Sequence, residues 1–400
     1  MARLTLESIR RRTMDAHWVA TWAAMPQFTE PDNLPPHVAG GRAFVDVTLR
    51  QTVRVSVGGE RVRLRLTNAF GDVPLAIAAV SVALPAGGAA GVSAIRPDTA
   101  RAVTFHGQRS VVVPAGALMV SDPLDVPLAR GANLTVSVHL AQGHPADALT
   151  SHPGSRTTSY VLGGNRVADA DLPGADPVDH WYLLGAVEVW APATTGAVAL
   201  LGDSLTDGRG STTNGNDRWP DRLLDRLPPG VAVINQAGGG NRVLHDGLGP
   251  SALARLDRDV LAQSGVRWLV VFEGVNDLGT AAPTEAAQKQ VAADLIAAYE
   301  QLVARAYARC DRVYGATITP FGGSDPYDDP DGRREAARQE VNRWIRTGGL
   351  FDGVLDFDAA VRDPERPHRL LAAFDEGDHL HINPAGYQAI ANAVPDGLFR

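Results

Sequence analysis

The rhythm of hydrophobic and polar positions changes midway along the chain. From about residue 42 to residue 190, apolar residues recur at every second position in short runs. Val53, Val55 and Val57 alternate with polar neighbours, Gly58-Gly59 marks a tight turn, and Val62, Leu64 and Leu66 alternate again. An antiparallel hairpin is expected there. Further runs at 111–113, 118–120, 134–138 and 186–190, with Gly and Pro between them, extend the pattern to an antiparallel β-sandwich. No helix-length amphipathic stretch interrupts them. From Gly196 onward, apolar runs near 197–201, 231–234, 266–272, 312–318 and 354–357 alternate with segments of helical period at 217–227, 251–263, 284–309 and 333–345. That alternation predicts a parallel α/β sheet. The small, turn-prone stretch 191–195 marks the boundary, giving domains at 1–192 and 196–400.

Length supports this division: 400 residues with 44% hydrophobic side chains suffice for two ordinary cores. The formal net charge of −8 argues against nucleic acid or an anionic membrane as partner, because only Arg10-Arg11-Arg12 forms a basic run. The most apolar stretch, 75–84, lies between Pro74 and Pro85 and is too short to span a bilayer. No apolar core follows the N-terminal basic residues, so the sequence as written carries no secretion signal, and a cytoplasmic location is expected unless a leader was removed. The single cysteine, Cys310, forms no intrachain disulfide and reads as a buried structural residue on a helix.

Candidate chemistry lies in the second half. Gly202-Asp203-Ser204-Leu205-Thr206-Asp207-Gly208 follows an apolar run and puts the Ser204 hydroxyl at the carboxyl end of a buried strand, where open α/β sheets place their ligands. A serine needs a general base, usually a histidine oriented by a carboxylate. Asp378 and His381 are three residues apart, a spacing that lets the carboxylate take the imidazole Nδ1 proton while Nε2 faces Ser204. A turn cap at Asp378 and a surface role for His381 are the plain alternatives. Two further blocks, Asn235 to Arg242 and Gly274-Val275-Asn276-Asp277, follow strands and offer backbone and side-chain N–H groups to an oxyanion. Each alone also reads as an ordinary connection. Together the four segments fall at one sheet edge.

As a set, Gly202-Asp203-Ser204-Leu205, Gly240 with Asn241, Gly274-Val275-Asn276-Asp277, and Asp378 with His381 resemble the SGNH or GDSL hydrolases, a group of serine esterases and acylhydrolases. The blocks occur in the family's order and cover roughly the C-terminal half. The resemblance implies a flavodoxin-like, three-layer hydrolase domain. It implies Ser204 as nucleophile, His381 as base and Asp378 as its orienting carboxylate. An oxyanion hole of the Ser204 and Gly240 N–H groups and the Asn276 amide would complete the site. No cofactor or metal is implied. Where many members carry Gly-x-Ser-Gly before the Asn, this chain has Ala237-Gly238-Gly239-Gly240. The segments Trp18 to Pro26 and Leu66 to Gly71 are similar to the extra N-terminal β-domain of a subset related to xylan-associated arylesterases.

The expected substrate is a small-molecule or carbohydrate ester with a short acyl or aryl group. Competing readings are a longer-chain lipase or thioesterase, a carbohydrate-binding protein with a silent hydrolase domain, and a metallohydrolase on Asp378, His379 and His381. Several neighbours carry smaller expectations. Asp203 holds the nucleophile loop through backbone N–H bonds. Arg242 forms a salt bridge to a loop Asp, the loop 321–327 shapes a pocket, and Trp18 and Trp22 belong to the core. The β-domain either walls the cleft, binds carbohydrate or only packs. Oligomeric state is left open.

Overall fold

The computed structural model describes residues 15–400, so the Arg10–Arg12 run lies outside the described residues. Its first half is antiparallel throughout. One five-stranded sheet joins Ala16–Ala23, Leu184–Pro192, Gly59–Thr67 and Leu118–Val120, with Leu124–Leu128 also pairing to Gly59–Thr67. A six-stranded sheet runs Asp176–Val178, Ser159–Gly163, Val47–Arg54, Asn133–Leu140, Ala79–Ala83, Arg101–Ala102. A small sheet centred on Thr150–His152 pairs it with Gln27–Phe28 and Trp181–Tyr182.

The hairpin expected around Gly58-Gly59 is not formed. Val47–Arg54 and Gly59–Thr67 lie in different sheets, and residues 55–58 carry the chain from one to the other. The alternation misleads because the polar positions of Val47–Arg54 are buried too. Arg50 is fully buried, with Nε donating to Ser137 Oγ at 2.9 Å and Nη2 to the Asp169 carbonyl at 2.8 Å. A strand covered on both faces has no solvent side to pin a local turn. At the crossing, Ser56 Oγ donates to the Thr21 carbonyl at 2.6 Å and Thr21 Oγ1 to the Val57 carbonyl at 2.7 Å.

The second half is the expected α/β unit. Its parallel sheet has the order Val231–Ala237, Gly196–Gly202, Val266–Phe272, Arg312–Ala316, Gly353–Leu355. The first strand in sequence therefore sits second from one edge, next to a switch point. Helices form two packing groups. Trp219–Leu224, Phe357–Val361 and Pro384–Ala393 make one, and Ala252–Leu256, Glu285–Ala306 and Arg333–Thr347 belong to the other. The 251–263 segment is a short α-helix followed by a wider π-helical turn over Asp257–Leu261. Glu285–Ala306 ends before Cys310, so the cysteine follows the helix rather than lying on it. It is buried, and burial pushes its thiol up to about 12.

At the junction, Ala191 and Pro192 still pair with His17 and Ala16, and only residues 193–195 connect the last antiparallel strand to Gly196–Gly202. The hydrophobic core is continuous from Val19 to Phe399. The outer strand Val231–Ala237 is covered by Ala16–Ala23, and Val233 N–H donates to Ser56 Oγ at 3.0 Å. An otherwise open sheet edge is thereby closed by the antiparallel half.

Candidate active site

Four chain segments meet at the carboxyl edge of the parallel sheet. Ser204 opens the four-residue helix that follows Gly196–Gly202. Asp203 caps that helix, its Oδ1 accepting from Leu205 N–H at 3.0 Å, as the sequence reading expects. Gly240 lies in the loop after Val231–Ala237 in the left-handed region, φ +68°, which favours glycine. Asn276 sits in the first turn of Val275–Thr280, just beyond Val266–Phe272. Asp378 and His381 lie in the turn before Pro384–Ala393.

Ser204 Oγ is 2.8 Å from His381 Nε2, and His381 Nδ1 is 2.6 Å from Asp378 Oδ2. The other oxygen of Asp378 accepts the backbone N–H groups of Leu380 and His381, at 3.0 and 2.8 Å. The capping role and the imidazole-orienting position therefore coincide in one carboxylate. Burial alone would raise the Asp378 carboxyl, but the bonds from the His381 ring and backbone hold it below its usual range. Burial lowers the His381 pKa, and Asp378 opposes that shift. The pair thus favours a neutral imidazole beside an ionised carboxylate, with Nδ1 the donor and Nε2 free to take a proton.

The Asn276 amide has a fixed orientation. Its Nδ2 donates to the Asn241 carbonyl at 2.8 Å, and its Oδ1 accepts from Tyr327 Oη–H at 2.6 Å. The second N–H of Nδ2 has no acceptor among the described residues, and Asn276 lines the cleft. The backbone N–H groups of Ser204 and Gly240 meet no acceptor among the described residues. Tyr327 thereby gives the 321–327 loop a definite place in the site.

Beneath these loops lies Arg255, fully buried and not singled out by sequence reasoning. Its guanidinium donates to the carbonyls of Gln236 (2.5 Å) and Gly202 (3.2 Å) and to Asn241 Oδ1 (2.9 Å), and lies 3.6 Å from Glu273. One side chain thus ties the ends of all three strands that precede Ser204, Gly240 and Asn276. Asp277 adds a second tie, accepting from Val243 and Leu244 N–H at 2.8 and 3.0 Å. Burial raises the pKa of Asp203, Glu273 and Asp277, with neighbouring carboxylates adding to the shift at Asp203 and Glu273. Arg242 corrects its expectation: its guanidinium meets the backbone carbonyl of Asp246, not a carboxylate, because the loop folds back within four residues.

A cleft of about 380 Å³ opens over Ser204 and His381. One wall is Gly240, Leu248, Asn276, Tyr327 and Leu380; the other comes from the first half, including Gln27, Asn33, Gly154, Arg156 and His180. His152 joins the two halves beside it. Its Nδ1 donates to the Met25 carbonyl at 3.0 Å and its Nε2 lies 2.9 Å from Asp207 Oδ1. Met25 also explains the glycine block: a Cβ on Gly238 would sit 2.6 Å from the Met25 sulfur. Trp22 is core, edge-on to Trp181, while Trp18 is half-buried against Trp190 under Arg63. His379 pairs with Asp375 at 2.5 Å, and no group of three or more candidate metal ligands occurs among the described residues.

A parallel sheet with a serine, a histidine and an aspartate in one hydrogen-bonded line at its carboxyl edge defines a hydrolase-type α/β domain. Residues 200–389 match the GDSL-like lipase/acylhydrolase family, whose members hydrolyse ester bonds, and it is this segment of the chain that is similar to that family. Solved structures similar to the chain include a catalytic mutant of an acetylxylan esterase from Geobacillus stearothermophilus, 21% identical over 50% of this chain and 91% of that one, with a TM-score of 0.37. Another is a GDSL-like lipase from Bacteroides thetaiotaomicron, 17% identical over 49% and 84%, with a TM-score of 0.38. No curated protein matches the chain in sequence.

Proposed function

We propose that the protein is a serine esterase acting on short acyl or aryl esters, including acetyl esters of carbohydrate, through an acyl-enzyme. The observation that carries this reading is the line Ser204 Oγ, His381 Nε2, His381 Nδ1, Asp378 Oδ2, with contacts of 2.8 and 2.6 Å at the floor of an open cleft. Ser204 Oγ attacks the ester carbonyl as its proton passes to His381 Nε2. The oxyanion is met by the N–H groups of Ser204 and Gly240 and the free N–H of Asn276. Collapse expels the alcohol, which takes the proton from His381, and water then releases the acid by the same route.

Short acyl groups are supported by the cleft lining, where the apolar side chains Pro153, Leu248, Leu380 and Tyr327 are interspersed with Gln27, Asn33, Arg156 and His180 rather than gathered into one continuous channel. Such a wall offers hydrogen bonds to a polyhydroxylated alcohol and little surface to a long chain. The first half is read as a β-sandwich domain, 1–192, that shapes this wall.

The test is turnover of 4-nitrophenyl acetate, butyrate and octanoate, with Ser204→Ala as control. Ser204-dependent rates that fall with acyl length support the reading. A rate that rises toward octanoate points to a lipase, and turnover surviving Ser204→Ala removes the serine mechanism.

A further inference from the structure

Two arginines face the cleft without anionic partners. Arg156, from the first half, and Arg209, two residues beyond Asp207, both line the cavity that contains Ser204 and His381. Among the described residues neither guanidinium makes an ion pair or a side-chain hydrogen bond, and the Nε of Arg156 is buried without an acceptor. Most arginines nearby are committed: Arg218 to Asp221 at 2.8 Å, Arg255 to three strand ends, and Arg334 to the Ala281 carbonyl at 2.9 Å.

Both free arginines stand on backbone that is held in place. Arg156 has φ +49°, a left-handed conformation unfavourable for a residue with a side chain, and its carbonyl accepts from Asn214 N–H at 2.9 Å. The Arg209 carbonyl accepts from the buried Tyr387 Oη–H at 2.6 Å. Of the other ionisable groups lining the cleft, Asp207 is matched by His152, and Glu30 accepts from Asn33 Nδ2 at 3.1 Å. His180, whose pKa is lowered by burial, donates Nδ1–H to the Pro153 carbonyl at 2.7 Å. In a chain of net charge −8 the cleft therefore keeps two cations without ion-pair partners against one carboxylate, Glu30, that is hydrogen-bonded only by the neutral Asn33 amide.

Resting on the esterase reading above, we propose that Arg156 and Arg209 form a carboxylate subsite, and that the substrate is an acyl ester on an acidic carbohydrate such as a uronic acid. The guanidinium fork matches a carboxylate in shape and charge. Both arginines line the same cleft as Ser204 and His381, together with Gln27, Asn33 and His180, the polar wall read above as facing a polyhydroxylated alcohol, and the carboxylate is therefore assigned to the alcohol rather than the acyl group.

The test compares acetate release from O-acetylated galacturonic acid and from the same acetyl sugar as its methyl ester, at low salt, beside 4-nitrophenyl acetate. Expected is a kcat/KM about tenfold higher for the acid, expressed in KM and shrinking as NaCl rises through about 0.1 M. In Arg156→Gln and Arg209→Gln the acid-to-ester ratio drops, and in the double variant it approaches one. Equal values for the two sugars in the unmodified protein, with 4-nitrophenyl acetate turned over, overturn the subsite and leave the esterase standing. A ratio that survives the double variant overturns the assignment to these arginines. Failure to hydrolyse any of the three esters overturns the esterase reading, and the subsite with it.

Discussion

The two halves of the molecule contribute to one cleft in different ways. In the second half Ser204 and Asn276 sit directly after strands and Asp378 and His381 just before a helix, and short contacts link Ser204, His381 and Asp378 within one sheet edge. In the first half the contributors come from segments far apart in sequence, Gln27 to Asn33, Pro153 to Arg156, and His180, gathered by antiparallel pairing. The parallel edge supplies the Ser204, His381 and Asp378 line; the antiparallel half supplies a wall and closes the outer strand. In the proposed esterase the chemistry is local to one fold, whereas the lining of the cleft belongs to both halves.

That division can be broken by substitution, and the largest effect is expected at the reactive line. Ser204→Ala should lower kcat on 4-nitrophenyl acetate by about 10⁴-fold or more while leaving the thermal midpoint nearly unchanged. His381→Ala should match it. Asp378→Asn should cost less than either, because an amide oxygen still accepts the two backbone N–H groups that shape the turn. Asn276→Ala should reduce kcat by about 10²- to 10³-fold with little change in KM, since an oxyanion donor acts mainly in the transition state.

Substitutions behind the site sharpen the comparison. Arg255→Met leaves Glu273, two strand-end carbonyls and Asn241 Oδ1 without their shared donor, and should destabilise the fold by about 3 kcal/mol or more, read by urea unfolding. His152→Phe leaves Asp207 buried without its partner across the halves, at a cost of about 3 kcal/mol. If the halves are coupled as described, both variants lower one common unfolding transition. A first half that melts separately in His152→Phe would show that the wall is only docked. The smallest effect expected is in pH. Because burial lowers the His381 pKa and Asp378 opposes that shift, the acid limb of kcat/KM should lie below the ordinary histidine value near 6.5. Asp378→Asn should move it further down.

The Ser204, His381 and Asp378 line was legible because Ser204 occupies a short motif at a strand end and Asp378 and His381 occupy another just before the last helix, and the sequence pattern brings both to one sheet edge. Antiparallel order was not. The hairpin at Gly58-Gly59 failed because Val47–Arg54 is buried on both faces, so alternation did not report a solvent side. Arg255, His152 and Arg156 act through partners far along the chain or by having none, and no local pattern marks either condition. Asp207 lay in full view within the Ser204 block, but its partner comes from the other half.

The central claim is that Ser204 is the acylated nucleophile with His381 as its base. It is tested most directly by treating the protein with a 4-nitrophenyl phosphonate and mapping the adduct by mass spectrometry. The account predicts one adduct per chain, on the Ser204 peptide, absent in Ser204→Ala and slowed by about 10³-fold in His381→Ala. Labelling at another residue, or none in protein that still hydrolyses 4-nitrophenyl acetate, would contradict it.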